Sequence, residues 1–356
     1  MSAAAERGSP GGRLRRLIES EGPISVARFM GESNARYYAS RDPLGAAGDF
    51  VTAPEISQMF GELVGLWLAD VWVRAGQTSG VIFAELGPGR GTLALDALRA
   101  MGTTGLHPRV HLVEGSPALR AVQGTALPAA RFHSDLAGVP EDGPLLLVAN
   151  EFLDALPVRQ LVRTPAGWRE RMVAVAHADL AFAAGRSDMR GAAADLPGDL
   201  PAGTIVETSP AAAAITGEIV HRLARQGGAA LLIDYGHFES RTGSTLQAVR
   251  SHSKVDPLAH PDEADITAHV DFAPLAAVAR RAGCRVQRAD QGAWLTAMGI
   301  GLRAAALARA LPGEAATIES ARRRLVDADQ MGTLFKVMAI TAPSWPEGAG
   351  FTPSSL

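Results

Sequence analysis

The sequence predicts an α/β fold with a mostly parallel, doubly wound sheet, an N-terminal helical region and an inserted antiparallel β excursion. Two observations carry the sheet. Four short apolar runs, Val81–Leu86, Val110–Glu114, Leu145–Asn150 and Ala229–Asp234, have the unbroken hydrophobicity of strands buried on both faces. Helical patterns separate them at Thr92–Met101, Pro117–Ala126 and Pro210–Gln226, the alternation that builds parallel sheets. Ligands of such sheets lie beyond the carboxyl ends of the strands, so functional residues are sought there.

The elements follow in order. Residues 1–12 read as a flexible tail. Residues 13–76 read as a helical region that packs on the core. A short helix from Arg13 stops at Gly22-Pro23, and a second piece runs to Met30. The polar stretch Gly31–Gly48 reads as irregular. A strong helix then starts with Thr52 as N-cap and Glu55 as its capping-box partner. Ile56, Met59, Phe60, Leu63, Val64, Trp67, Leu68 and Val71 keep helical spacing, and Gly76 stops it. Residues 77–157 form the first half of the core, and 158–207 the antiparallel excursion, turning at Pro165-Ala166-Gly167. Ala184–Pro201 reads as a surface loop. Residues 208–236 continue the core. Residues 237–271 are polar and rich in His, Asp and Thr, which suggests a long functional loop. Residues 272–342 complete the core with strands Arg285–Arg288 and Leu334–Thr341 and helices from Trp294 to Asp327. Residues 343–356 read as a second tail.

Bulk composition narrows the function. The chain of 356 residues carries a formal charge of −3, which offers no general attraction for nucleic acid or an anionic membrane. The single cysteine, Cys284, excludes an internal disulfide and a Cys-rich metal site. No apolar run approaches the ~18–20 residues of a membrane span. The first residues lack the apolar segment of a secretory signal. Together these features predict a reducing, cytoplasmic setting.

The stretch "FAELGPGRGTLALDAL", Phe83 to Leu98, is a strand, a glycine turn and a helix start. A P-loop would end in Gly-Lys-Ser/Thr, whereas this turn ends Gly91-Thr92. A dinucleotide fingerprint would space its third glycine one residue later than Gly91. Glu85 would also repel a pyrophosphate. A cofactor that carries a cation suits it better. S-adenosylmethionine has an α-ammonium, a sulfonium and a ribose diol, and no phosphate. The residues expected around it are Glu85, Gly87, Pro88, Gly89, Gly91 and Thr92, where missing Cβ atoms let the backbone approach closely. Glu114, ending the second strand in "VHLVEGSP", would accept both ribose hydroxyls, with Ser116 beside it. A solvated strand-end acid is the alternative for Glu114, and a tight turn without ligand is the alternative for the glycines. Asp135 in "RFHSDL" would meet the adenine amino group or else cap a helix. The helix from Thr52 would lie over the turn, so that Gln58, in preference to Glu55, reaches the methionine end.

The segments "GDFVTAPEISQMFGE", "ELGPGRGTL", "NEFLDALPVRQ", "LLIDYG", "TLQAVRSH", "ADITAHVDF" and "MGTLFKVMA" run from Gly48 to Ala339. In this order they resemble the MidA-like family of S-adenosylmethionine-dependent methyltransferases. Ala53 departs from the serine expected before Pro54. The resemblance implies a class I, Rossmann-like methyltransferase core. Because the family includes a mitochondrial protein-arginine methyltransferase that assists complex I assembly, the resemblance also implies a protein client such as a complex I subunit. A homodimer is a further possible partnership; no nucleic acid or metal is expected.

Arginine is a difficult nucleophile, because its guanidinium stays protonated and delocalised. Carboxylates can hold it by paired hydrogen bonds and expose one nitrogen. "VANEFLDALP" sets Asn150, Glu151 and Asp154 just past a strand end. Glu151 is the first candidate to grip the substrate and Asp154 the second, with capping of the turn before Pro157 as its alternative. Asn150 is a candidate for both cofactor and substrate. Asp234 in "LIDYGH" faces the same edge. His269 in "DITAHVDF" would orient an acid or serve structure alone. A small-molecule methyltransferase and a cofactor-stabilised assembly factor are the rival functions.

Overall fold

The computed structural model describes residues 12–40 and 51–352, apart from 178, 194, 195, 197, 198 and 251. The expected first tail lies outside them except for Gly12, as do 41–48 of the expected irregular stretch. In chain order the helices are α1 (Gly12–Glu21), α2 (Val26–Ser40), α3 (Ala53–Ile56), α4 (Gln58–Arg74), α5 (Thr92–Gly102), α6 (Pro117–Ala126), α7 (Pro210–Gln226), α8 (Phe272–Arg281), α9 (Gln291–Ala297), α10 (Ile300–Ala310), α11 (Ala315–Val326) and α12 (Met331–Leu334). The strands are β1 (Ile24–Ser25), β2 (Ile82–Leu86), β3 (Arg109–Val113), β4 (Arg131–His133), β5 (Leu145–Asn150), β6 (Arg159–Thr164), β7 (Gly167–Ala176), β8 (Asp179–Asp188), β9 (Ile205–Thr208), β10 (Gly228–His237), β11 (Gln247–Arg250), β12 (Ser253–Val255), β13 (Asp265–Thr267), β14 (Val270–Asp271), β15 (Arg285–Asp290) and β16 (Phe335–Thr341).

Two compact units divide the chain. The larger takes Val51–Leu153, Ala213–Phe238 and Phe272–Leu356. Its sheet runs β15-β16-β10-β5-β2-β3-β4, and β16 alone in that path is antiparallel to its neighbours. This is the mostly parallel α/β sheet that the apolar runs predict. The chain leaves β2 toward β3 and β4 and returns to its other side with β5. The order therefore reverses between β2 and β5, where doubly wound sheets bind their ligands.

Why the helices sit where they do is local chemistry. Ser116 caps α6 by accepting from the Leu119 N–H, and Pro117 fills the first turn, where no donor is needed. The capping box expected at Thr52 and Glu55 does not form: Thr52 makes no side-chain cap bond, and α3 lasts four residues. Ser57 then adopts extended backbone, φ −164° and ψ 139°, and its hydroxyl accepts from Met59 N–H to start α4. Apolar spacing runs through this break, from half-buried Ile56 to buried Met59 and Phe60. Helices α4 and α5 pack closely at Gly65, where an ideal Cβ would stand 2.3 Å from the Ala97 carbonyl oxygen.

The expected C-terminal tail is a correction. Trp345 is buried, Trp67 Nε1 donates to the Ala349 carbonyl at 3.0 Å, and Gly348 N–H donates to Gln287 Oε1 at 2.8 Å. Residues 343–352 thus pack on the larger unit; 353–356 lie outside the described residues. Helix α8 and strand β4 complete this unit without having been singled out in the sequence.

The smaller unit gathers residues 12–40, Asp154–Ala212 and Glu239–Asp271. The expected helical region 13–76 is therefore split between the two units. Residues 31–40, expected to be irregular, belong to α2. One sheet runs β1-β7-β6-β9, with β8 on β7, all antiparallel. The stretch from Ala184, expected as loop, continues β8 to Asp188. A second sheet, β12-β11-β13, occupies the stretch expected to be one long loop. Leu14, Ile18, Phe29, Met30, Val173 and Ile266 share this unit's core. Asn34 ties α2 to β13: its Nδ2 donates to the Ile266 carbonyl at 2.7 Å and its Oδ1 accepts the Ile266 N–H at 3.2 Å.

Candidate active site

Strand β2 delivers Glu85 and then the glycine turn. Gly87, Gly89 and Gly91 have φ of 63°, 55° and 83°, left-handed values that a side chain would strain. The turn closes on itself, with Gly91 N–H donating to the Pro88 carbonyl at 2.7 Å. Gly87 N–H donates to the Val113 carbonyl at 3.0 Å, so the turn is also tied to β3. An ideal Cβ at Gly87 would stand 2.9 Å from the Phe152 ring, which therefore lies against the turn.

Glu85 is 2% exposed. Burial pushes its pKa up to about 8, against a smaller downward pull from the Ala94 N–H in the first turn of α5. Its Oε2 has no hydrogen-bond partner among the described residues. Next to it in the sheet, Leu86 pairs with Ala149, so the ends of β2 and β5 are neighbours. Asn150 ends β5, is 7% exposed and has an Oδ1 with no partner among the described residues. Its Nδ2 donates to Glu151 Oε1 at 3.1 Å. Ala53 N–H donates to the same oxygen at 3.0 Å. Glu151 stands at φ 50°, a conformation costly for a residue with a Cβ and common where function demands it.

Glu114 follows β3. It accepts the Ser116 N–H at 2.7 Å and lies 3.4 Å from Gln123 Nε2. Desolvation raises its pKa, and the hydrogen bonds oppose that.

The remaining expected site residues have partners within the protein. Gln58 is exposed and donates to Glu62 at 3.2 Å along its own helix. Glu55 reaches the turn instead: Thr92 donates its hydroxyl to Glu55 at 2.5 Å, which also commits Thr92. Ser116 serves as an N-cap and steadies Glu114 through its backbone N–H. Asp135 is exposed and caps a short 3-10 turn by accepting from Gly138 N–H at 3.0 Å, the capping alternative. Asp234 is fully buried; its two oxygens accept the N–H groups of Leu153 at 2.9 Å and Tyr235 at 3.0 Å. It anchors the turn that follows Glu151. Asp154 and His269 belong to the smaller unit. There Asp154 is buried and its carbonyl accepts from Ala268, and His269 N–H donates to Thr245 Oγ1 at 2.9 Å. The sequence reading passed over Gln123 and Phe152.

A family profile described as "Putative S-adenosyl-L-methionine-dependent methyltransferase" matches residues 63–289, more than half of the chain. The chain is an S-adenosylmethionine-dependent methyltransferase of this MidA-like family. It is 37% identical to the Drosophila melanogaster "Protein arginine methyltransferase NDUFAF7 homolog, mitochondrial", over 95% of this chain and 86% of that protein. It is 37% identical to the Homo sapiens "Protein arginine methyltransferase NDUFAF7, mitochondrial", over 80% of this chain and 72% of that one. It also superposes on a Burkholderia thailandensis crystal structure bound to S-adenosyl-homocysteine, with TM-score 0.85, 28% identity and coverage of 99% and 97% of the two chains. The expected cytoplasmic location is overturned by the Drosophila and human relatives, which are mitochondrial by name.

The residues of the methyltransferase fit its cofactor. Glu85 Oε2 and Asn150 Oδ1 are buried oxygens that have no donor among the described residues, and an α-ammonium brings three N–H groups that such oxygens can accept. A phosphate would bring further acceptors and would suit only the protonated form of Glu85. When bound, S-adenosylmethionine supplies an electrophilic methyl group on a sulfonium.

Proposed function

We propose that this methyltransferase modifies an arginine of a protein client, with a complex I subunit as the first client to test. The observation that carries the reading is Glu151: a carboxylate held in left-handed backbone at the ligand end of β5, beside Asn150. A guanidinium presents paired N–H donors that a carboxylate can accept. Bonding at one nitrogen draws positive charge toward the carboxylate and leaves another nitrogen better able to attack. Transfer then forms an N–C bond, breaks the C–S bond and releases one proton from the guanidinium. Glu151 is the group proposed to receive that proton. Ala53 N–H and Asn150 Nδ2 both donate to Glu151 Oε1 and fix its position. The 37% identity to proteins named as arginine methyltransferases supports the same substrate class. For the cofactor, Glu85 and Asn150 are proposed to hold the ammonium and Glu114 the ribose.

The test is methylation of proteins from cells that lack this gene, using the purified chain and isotope-labelled cofactor, read by mass spectrometry. Methyl-arginine on a defined protein supports the proposal. Label on a small molecule alone, or cofactor uptake with no methylated product, overturns it.

A further inference from the structure

Gln123 lies on α6 and is fully buried. Its Nε2 donates to the Gly89 carbonyl at 2.6 Å and reaches Glu114 Oε2 at 3.4 Å. Both neighbours are acceptors, so the amide nitrogen must face them and the amide oxygen must face away. That oxygen has no partner among the described residues. A buried acceptor without a donor is costly, and an apolar side chain of the same length would avoid the cost. What the amide contributes is therefore on its nitrogen side. Gly89 is the middle glycine of the turn, and Glu114 closes the next strand. One side chain thus links two walls of the cofactor site. The Gln123 stem also lies against the last glycine, since an ideal Cβ at Gly91 would stand 3.7 Å from its Cγ. Arg120, another residue of α6, donates to the Glu114 and His133 carbonyls, so the helix holds the backbone of this corner as Gln123 holds its carboxylate.

We infer that Gln123 is a positioning residue for the ribose of S-adenosylmethionine. It holds Glu114 as an aimed carboxylate at a set distance from the glycine turn, and through it selects ligands with vicinal hydroxyls. The inference rests on reading Glu114 as the ribose acceptor. Unlike Ser116, whose backbone would serve with any side chain, Gln123 acts through a group that substitution removes.

Calorimetry tests this with S-adenosyl-homocysteine and its 2′,3′-dideoxy analogue. Gln123→Met is expected to weaken S-adenosyl-homocysteine about tenfold and the analogue less than about threefold, the scale of one lost hydrogen bond to a charged acceptor. In the double variant Gln123→Met/Glu114→Ala, affinity for S-adenosyl-homocysteine should match that of Glu114→Ala alone, because Gln123 acts through Glu114. Equal loss for both ligands in Gln123→Met, or additive losses in the double variant, overturns the inference. Glu114→Ala weakening both ligands equally overturns instead the ribose reading beneath it. Should Gln123→Met not fold, ¹⁵N NMR of the unaltered chain decides. The Gln123 side-chain amide signal must move on adding S-adenosyl-homocysteine and stay on adding the analogue; an unmoved signal with both refutes the role.

Discussion

The backbone N–H of Ala53 donates to Glu151 Oε1 at 3.0 Å, joining the start of α3 to the turn after β5. Asn150 adds a second donor to the same oxygen at 3.1 Å. A carboxylate held this way cannot swing freely, and catalysis by orientation depends on that. Glu151→Gln keeps the shape and removes the charge. It should cut turnover by ~10²-fold or more with little change in S-adenosyl-homocysteine affinity. Single-turnover methylation and calorimetry together check this. Normal turnover in a folded Glu151→Gln protein would remove Glu151 from the chemistry.

If Glu85 holds the cofactor ammonium as proposed, cofactor binding should be sensitive to pH. With its pKa near 8 the free protein holds Glu85 neutral at pH 6–7. An ammonium favours the carboxylate, so binding expels about one proton. Affinity should rise by up to about tenfold per pH unit between pH 6 and 7.5, below the ~7.7–8.0 at which an α-amino group itself titrates. Glu85→Gln should flatten that slope and weaken binding. Folding shows the companion effect. The unfolded acid titrates near 4.5 and the folded one near 8, so Glu85's contribution to stability is intact below 4.5 and lost as pH rises through 8. Glu85→Gln should therefore gain on the wild type in apo melting temperature as pH climbs from 5 to 8. Calorimetry in two buffers of different ionisation enthalpy and thermal melts across that range check both signs.

What could be read from the chain follows from which forces act locally. Strand β5 and helices α6 and α7 match their expected bounds because buried strands and amphipathic helices print their periods in the residues themselves. Glu85 and Glu114 were legible as strand-end acids for the same reason. Ser57 was not, since apolar spacing continues across it and only its extended backbone breaks the helix. Strands β11, β12 and β13 are short and mostly polar, and their pairing is decided by neighbours distant in sequence. Gln123 sits on the buried side of α6, where the helical pattern marks it as core and hides its two acceptors. Trp345 and Phe351 were the signals that residues 343–352 do not trail free: Phe351 stands 6.5 Å from the Trp67 ring and 6.4 Å from that of Trp294.

Asp234 carries a structural load beside the site. It accepts from Leu153 and Tyr235 and is fully buried. Asp234→Asn presents an amide N–H where an acceptor is needed, leaving one buried backbone donor unpaired at a cost of about 1–3 kcal/mol. At about 2–4 °C per kcal/mol for a domain of ~150–250 residues, the melting temperature should fall by several degrees. Turnover should fall further than cofactor affinity, because Leu153 is two residues from Glu151. Melts, calorimetry and rate measurements on one preparation separate these effects. A kcat equal to wild type with a lowered melting temperature would confine Asp234 to stability.

Gly65 tests the packing behind the glycine turn. Alanine is the better helix former by about 1 kcal/mol, so propensity alone predicts stabilisation by Gly65→Ala. The added Cβ would stand 2.3 Å from the Ala97 carbonyl oxygen, and backbone cannot yield as a side-chain tip can. Overpacking of this kind costs about 1–3 kcal/mol or more and should win. The strain pushes on α5, whose Ala94 N–H binds Glu85, so cofactor affinity should fall with the melting temperature. Gly217 in α7 is the control: its ideal Cβ meets nothing within 4 Å. Gly217→Ala should hold or raise the melting temperature by a few degrees and leave cofactor affinity unchanged. If Gly65→Ala behaved as Gly217→Ala does, the close approach of α4 and α5 would not be what seats the turn.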